Sequence, residues 1–127
     1  MVIEKGNAAA VAERFYDFYD GVVLDVRLEI RPRRCTLRME CHDRLSKTGW
    51  SHITVTVTDV SRFRFEYGRT SFEVLSGGAQ FVWSEGLVYV VLDAYPDDGP
   101  GLPDLSTNIA FVAGVACELD AAPVAGT

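Results

Sequence analysis

Hydrophobic and polar residues alternate along two neighbouring stretches near the start of the chain. In the first, every second residue is aliphatic and the intervening residues are charged; its apolar positions are Leu24, Val26, Leu28 and Ile30. In the second, the apolar positions are Cys35, Leu37, Met39 and Cys41. Successive side chains of a strand point to opposite faces. The pattern therefore predicts a hairpin of two strands, each with one apolar and one charged face, joined by a turn at 31–34.

The charged residues of this hairpin favour one register. If the numbers of facing residues sum to 67, Glu29 faces Arg38 and Arg27 faces Glu40, which are pairs of opposite charge. A sum of 65 places Arg27 opposite Arg38, which is repulsive. Such pairs contribute about 0.2–1 kcal/mol each. The charges therefore favour the register in which the numbers of facing residues sum to 67, unless turn geometry imposes another register.

An amphipathic helix is predicted before the hairpin, over residues 7–20. Apolar residues from Ala8 to Tyr19 recur at helical spacing and form one stripe. Asn7 is a suitable N-cap, and Asp20-Gly21 is expected to end the helix because glycine adopts the left-handed conformation found there.

Six further strands are predicted after the hairpin, at Trp50–Thr58, Arg62–Tyr67, Ser71–Leu75, Ala79–Trp83, Leu87–Leu92 and Ile109–Leu119. Leu87–Leu92 is apolar at every position, which is typical of a central strand covered on both faces. Residues 95–104 contain three prolines and two glycines and predict a loop.

The predicted fold class is α+β, mainly β. One N-terminal helix is followed by about seven or eight mostly antiparallel strands in a curled sheet or two-layer sandwich, because no helix is left for parallel crossovers. We expect a single domain over residues 1–127, with the helix at 7–20, the sheet at 21–120 and a loose tail at 121–127.

Composition and charge narrow the function classes. Apolar residues make up 48% of the 127 residues and the formal charge is −6, which is typical of a soluble protein and disfavours a nucleic-acid partner. All 12 basic residues lie at or before Arg69. No stretch resembles a membrane span or a signal peptide, and three cysteines, an odd number, fit a reducing compartment. We therefore expect a cytoplasmic protein without membrane association.

Motifs for catalysis and ligand binding are missing from the sequence. The two histidines, His42 and His52, have no metal-site spacing around them, no serine or cysteine stands in a nucleophile motif, and no glycine-rich loop precedes a helix. The sequence predicts no catalytic, cofactor-binding or metal-binding residues and no cofactor, so an enzyme is disfavoured.

Charged surfaces remain as candidate sites. Arginine is common at interfaces because its planar group binds carboxylates in two places. An acidic loop could face an arginine surface in a second copy of the chain, which would give a homodimer; the alternative is a solvated face with cross-strand ion pairs. The candidate interaction surface comprises Arg27, Arg38, Arg62, Arg64, Asp97, Asp98 and Asp104.

The order of elements resembles a family. The helix ends in Phe18-Tyr19-Asp20-Gly21-Val22-Val23, a long hairpin follows, and the chain closes with Ile109-Ala110-Phe111 to Cys117-Glu118-Leu119. This order is similar to small bacterial β-rich domains of unknown function, some of which are classed as immunity proteins of polymorphic toxin systems. In those domains a His-Asp pair often follows the helix, where this chain has Tyr19-Asp20. The resemblance implies a binding protein without catalysis.

Three functional hypotheses follow from the sequence. The first is a cytoplasmic bacterial domain that covers a protein partner, as immunity proteins do. The second is a small-ligand binder or enzyme with a pocket beneath the curled sheet, lined by Phe63, Phe65, Tyr67, Trp83 and Tyr89. The third is an assembly subunit that forms a homodimer.

Overall fold

Nine strands and one short α-helix make up the described part of the chain. The computed structural model describes residues 1–66, 72–93 and 110–124. The helix α1 spans Ala8–Arg14, and a single 3-10 turn follows at Tyr16–Phe18. The strands are β1 (Gly21–Glu29), β2 (Arg34–His42), β3 (Trp50–Thr58), β4 (Arg62–Phe65), β5 (Val74–Leu75), β6 (Ala79–Ser84), β7 (Leu87–Leu92), β8 (Ala110–Gly114) and β9 (Ala116–Pro123). The prediction of a mainly β α+β fold is confirmed.

The strands form two antiparallel sheets that share one core. Sheet A has the order β5-β1-β2-β3-β9, and sheet B has the order β4-β8-β7-β6. Leu37 and Val55 of sheet A and Val90 and Val112 of sheet B belong to the same cluster of buried side chains. Phe15, next to α1, is also fully buried there. The architecture is therefore a two-layer sandwich, one of the two predicted alternatives.

The predicted alternation is confirmed in β2 and β3, and the predicted central position is confirmed for β7. Cys35, Leu37, Met39 and Cys41 of β2 are all at most 1% exposed. β3 has the predicted bounds, and β7 lies inside sheet B between β8 and β6. Burial of one side-chain face fixes which residues point inward, since a slip of one position would move every apolar side chain into water.

β1 departs from the predicted alternation at a β-bulge. The pairing of β1 with β2 skips Leu24, which is 44% exposed. The extra residue reverses the alternation, so Val23, Val26 and Leu28 pack against the core. Ile30 lies in the turn and is 76% exposed. The prediction of a common apolar face including Leu24 and Ile30 is therefore wrong.

The predicted hairpin register is also wrong. The turn occupies residues 30–33 rather than 31–34, and from Asp25 to Glu29 the numbers of facing residues sum to 63 rather than 67. Turn geometry sets the register. The charges are still satisfied, because Asp25 faces Arg38 and Glu29 faces Arg34, and both pairs form salt bridges.

The helix is shorter than predicted. α1 ends at Arg14, and the predicted stop at Gly21 is wrong, because Gly21 is the first residue of β1. The chain leaves the helix through left-handed residues at Tyr16 and Asp17 instead. Asn7 stands at the N-cap, but its side chain does not cap; it accepts a hydrogen bond from the Glu4 N–H.

The predicted last strand is split between the two sheets. β8 belongs to sheet B and β9 to sheet A, with Val115 at the corner between them. The Val115 N–H donates to the Thr58 carbonyl (2.9 Å), and the Ser61 N–H donates to the Ala113 carbonyl (3.0 Å). The chain thus passes from β3 to β4 at the same corner, which we call the sheet corner.

The predicted boundary between the sheet and the C-terminal tail is also wrong. β9 continues to Pro123, so residues 121–123 belong to the sheet rather than to the predicted loose tail. Other boundaries moved less: β4 ends at Phe65, β5 has two residues, and β6 runs one residue further, to Ser84. The predicted ends at Tyr67, Ser71 and Ile109, and the loop at 95–104, lie outside the described residues.

Candidate functional site

The four arginines of the candidate interaction surface are divided between two faces of the molecule. Arg27 and Arg38 lie on the outer face of sheet A. Their neighbours in sequence, such as Val26 and Leu37, point to the core, and successive side chains of a strand point to opposite faces. Arg62 and Arg64 lie on sheet B, opposite Ala113 and Phe111, which belong to a smaller cluster on its outer face. The acidic members of the prediction, Asp97, Asp98 and Asp104, lie outside the described residues.

Each of these four arginines has a partner within the chain. Arg38 pairs with Asp25, and the Arg27 Nε lies 3.7 Å from a Glu29 carboxylate oxygen. Arg62 donates to the Tyr89 hydroxyl (3.0 Å), and Arg64 pairs with Glu66 (3.0 Å). These contacts match the predicted alternative of a solvated face with ion pairs. Binding of a partner by these arginines stays a prediction.

The predicted aromatic pocket does not form among the described residues. Phe65 and Trp83 pack against the main core, whereas Tyr89 belongs to the cluster on the opposite face of sheet B. Phe63 is 52% exposed on the edge strand β4. Tyr67 lies outside the described residues. The alternation of β7 explains the error, because Val88 and Val90 point inward and Tyr89 between them must point outward.

A depression of about 700 Å³ lies where the end of the helical segment meets the loop between β2 and β3. The side with the helical segment contributes Tyr16, Tyr19 and Asp20, and the loop side contributes residues 42–44 and 46–49. We call this feature the helix–loop depression. It is open to solvent and combines aromatic, cationic and hydroxyl side chains.

The backbone on one side of this depression is strained. Tyr16, Asp17, Phe18 and Asp20 have φ angles of 53°, 56°, 61° and 59°. A left-handed conformation costs a non-glycine residue roughly 1–2 kcal/mol, and such residues cluster at functional sites. Phe18 holds this segment in place, because its ring is buried and stacks on Phe15 (5.4 Å between centroids). The strain turns Tyr16 and Tyr19 toward the depression.

Asp43 fixes the loop between β2 and β3, on the other side of the depression. Its carboxylate is 1% exposed and accepts hydrogen bonds from Arg14 Nε and Nη2 (3.0 and 3.1 Å), the Leu45 N–H (3.0 Å) and the Ser51 hydroxyl (2.6 Å). Burial raises the pKa of the Asp43 carboxyl, but the hydrogen bonds from Arg14, Ser51 and Leu45 outweigh it, and the net pKa shift is downward. The loop is thereby tied to both α1 and β3.

A row of stacked side chains begins in the lining of the depression and ends at Trp50, next to it. The Arg44 guanidinium lies over the Tyr16 ring (4.0 Å to the centroid), Tyr16 meets His42 edge-on (6.1 Å), and His42 stacks on Trp50 (3.9 Å). Arg44 Nε also donates to the Glu13 carbonyl (2.8 Å). We call these four residues the aromatic row. Each contact restricts the rotamers of its neighbours, so the row presents a largely fixed surface.

The charges of this site suit an anionic group. Arg14 neutralises Asp43, whereas Arg44 and Lys47 form no ion pair with any residue in the described ranges. Asp20 is the remaining acidic residue in the lining. Within 1–66, 72–93 and 110–124, no three His, Cys, Asp or Glu side chains are grouped as metal ligands. None of the helices in these ranges has the length and hydrophobicity to cross a bilayer.

The comparisons with known proteins add no further guidance. No protein-family model, curated protein or solved structure matches the chain. The resemblance to immunity proteins therefore stays a prediction.

Sequence reasoning missed the helix–loop depression. The polar sequence of residues 42–49 predicts only a loop, and Arg14 and Asp43 are too far apart in sequence to predict their contact. One signal was present: Ser51 has the same strand parity as the buried Ile53, Val55 and Val57. A hydroxyl at an inward position needs a partner, and that partner is Asp43.

Proposed function

We propose that this protein is a non-catalytic protein-binding domain that acts by covering a partner, and that the helix–loop depression is its contact surface. One observation carries the proposal: the aromatic row is open to solvent, yet it is held by a buried carboxylate and a strained turn. A surface that is already ordered loses little side-chain entropy on binding.

The residue types favour a protein partner over a small molecule. Tyrosine, tryptophan and arginine dominate the binding energy of protein interfaces, and Tyr16, Arg44 and Trp50 lie together in the aromatic row. Small-molecule sites are usually enclosed and bury most of the ligand, whereas this depression is shallow and Tyr16 is 43% exposed. Arg44 and Lys47 favour a partner segment with exposed carboxylates.

The resemblance in element order supports an immunity-like role. In that role, a bacterial cytoplasmic protein binds a toxin encoded beside it and blocks the toxin surface. A fixed surface suits this task because tight and rapid inhibition needs a preorganised contact.

The test is binding to, and neutralisation of, the products of the adjacent genes. Each product is expressed with and without this protein, growth is recorded, and affinity is measured by calorimetry. We expect rescue by one product, and at least a tenfold weaker affinity for the double variant Arg44→Ala, Lys47→Ala, equivalent to about 1.4 kcal/mol.

Lys5→Ala is the control, because it removes an exposed positive charge away from the depression. Circular dichroism and thermal melting confirm that the variants remain folded. The proposal fails if no neighbouring product binds or is neutralised, or if the double variant binds as tightly as Lys5→Ala.

A further inference from the structure

Among the described residues, no strand pairs with one side of β1 over most of its length. β5 pairs only with Gly21 and Val22, and the Val23 N–H donates to the Glu73 carbonyl (2.8 Å). From Leu24 to Glu29, no described residue forms a hydrogen-bonded ladder on the side of β1 that faces away from β2. We call this the open edge of β1. Unpaired N–H and C=O groups along an edge strand are a template for another strand.

The side chains along this edge have a self-complementary order. Asp25, Arg27, Glu29 and Arg31 alternate in sign, and Val26, Leu28 and Ile30 lie between them. An antiparallel copy reverses the order, so each acidic position then meets a basic one. The same reversal keeps the apolar residues together. This self-complementary order occurs on the strand that has the open edge.

Geometry restricts the possible registers of two paired β1 strands. Facing residues of an antiparallel pair direct their N–H and C=O groups either both toward the partner strand or both away from it. Because these directions alternate along a strand, the numbers of facing residues in two copies of β1 must sum to an even value. A sum of 52 places Glu29 opposite Val23, where Glu73 already accepts the Val23 hydrogen bond. A sum of 54 places Arg27 opposite Arg27, and 58 places Glu29 opposite Glu29. Like charges in facing positions are destabilising.

The register with a sum of 56 requires no hydrogen bond from Val23 and places no like charges opposite each other. It places Arg27 opposite Glu29, twice by symmetry, with Leu28 opposite Leu28 on the two-fold axis. Asp25 and Val26 then lie opposite Arg31 and Ile30, the first two residues of the turn. Ile30 is 76% exposed in the single chain, and within the part of the chain that the structure describes, the only ion pair of Arg27 is the 3.7 Å contact with Glu29. Both side chains are therefore available to a second copy.

We propose that two copies of this chain pair through the open edges of β1, antiparallel and with Leu28 on the symmetry axis, so that the two A sheets become continuous. This interface shares no residue with the lining of the helix–loop depression, and it is a different pairing from the homodimer through an acidic loop that the sequence suggested. The paired segment is short and buries little area, so the dimer is reversible, with a dissociation constant on the order of micromolar, the weak end of the range for protein interfaces.

The first test is sedimentation velocity over roughly 0.05 µM to 1 mM, from well below to well above that dissociation constant. We expect the mass to rise from one chain to two. Arg27→Glu alone and Glu29→Arg alone should each remain monomeric, because each places like charges in facing positions. An equimolar mixture of the two variants should dimerise, because the facing charges are then opposite. A wild-type chain that stays monomeric over the whole range, or a mixture that does not dimerise, would overturn the proposal.

The second test uses disulfide cross-linking to identify the register. Leu28→Cys places two thiols opposite each other, with Cβ atoms about 4.5–5.5 Å apart, so mild oxidation should give a cross-linked dimer. Leu24→Cys is the matched control, since that residue is exposed but not opposite itself in this register. The native cysteines are buried and do not interfere. Cross-linking of Leu24→Cys at an equal or higher rate would refute the register, whereas selective cross-linking of Leu28→Cys supports it.

Discussion

Removal of the Asp43 carboxylate is expected to cost far more stability than removal of an exposed one. Asp43→Ala deletes two hydrogen bonds with Arg14, one with the Leu45 N–H and one with the buried Ser51 hydroxyl. Breaking a buried ion pair typically costs about 3–5 kcal/mol. The Arg14 side chain is 27% exposed and keeps contact with water, so the lower end applies, about 3 kcal/mol. For a domain of this size, that corresponds to a loss of roughly 10 °C in melting temperature.

The assay is urea unfolding followed by fluorescence, with Asp25→Ala as the control. The Asp25–Arg38 pair is exposed, at 44% and 56% of the two side chains, and such pairs contribute under about 1 kcal/mol. A loss for Asp43→Ala below about 1 kcal/mol, or one equal to that of Asp25→Ala, would refute the assignment of Asp43 as the anchor of the loop.

The pH dependence gives an independent check on the same carboxyl. Its pKa is lowered in the folded protein, so the unfolded state takes up the proton first as the pH falls. The contribution of Asp43 is therefore fully present above its unfolded pKa of about 3.9 and is lost as the pH falls through the lower folded value. Asp43→Asn should lack this part of the acid sensitivity, and an unchanged acid profile would contradict the prediction.

Two further predictions concern the core and the sheet corner. Burial raises the pKa of Cys35 to about 11 and of Cys41 and Cys117 to about 12; Ellman's reagent at pH 8 should therefore label the native protein very slowly and label three thiols in denaturant. Rapid stoichiometric labelling of native protein would contradict this. Gly114→Ala should destabilise the protein by about 2–3 kcal/mol in urea unfolding, because its Cβ would lie 2.4 Å from the Thr58 carbonyl oxygen. Gly6→Ala, where a Cβ would meet nothing within 4 Å, is the control, and equal stabilities would refute the expectation.

Strands with one buried face could be predicted from the sequence with accurate bounds. β2 and β3 alternate strictly, and their apolar residues face the other sheet. The same reasoning failed in β1, because a bulge at Leu24 reverses the alternation and leaves no mark in composition. The prediction of the hairpin register failed for a related reason. Cross-strand charge pairs contribute too little free energy to override the geometry of a four-residue turn.

The functional site was less predictable than the sheets. The aromatic row combines a residue after α1 with residues at the ends of β2 and β3, and only the tertiary fold brings them together. Positive φ angles at Tyr16 and Asp17 are imposed by the burial of Phe15 and Phe18 and not by glycine. Local sequence preferences do not predict such a turn, because tertiary packing overrides them.

The sheet corner has a consequence for how the molecule assembles. β3 and β9 form one end of a two-stranded ribbon, β8 and β4 form the other end, and the ribbon bends from one layer into the other at Val115. Its two strands come from distant parts of the sequence, so neither layer can complete itself from consecutive residues. The layers must form together, and the late return of the C-terminal strand is expected to limit the rate of folding.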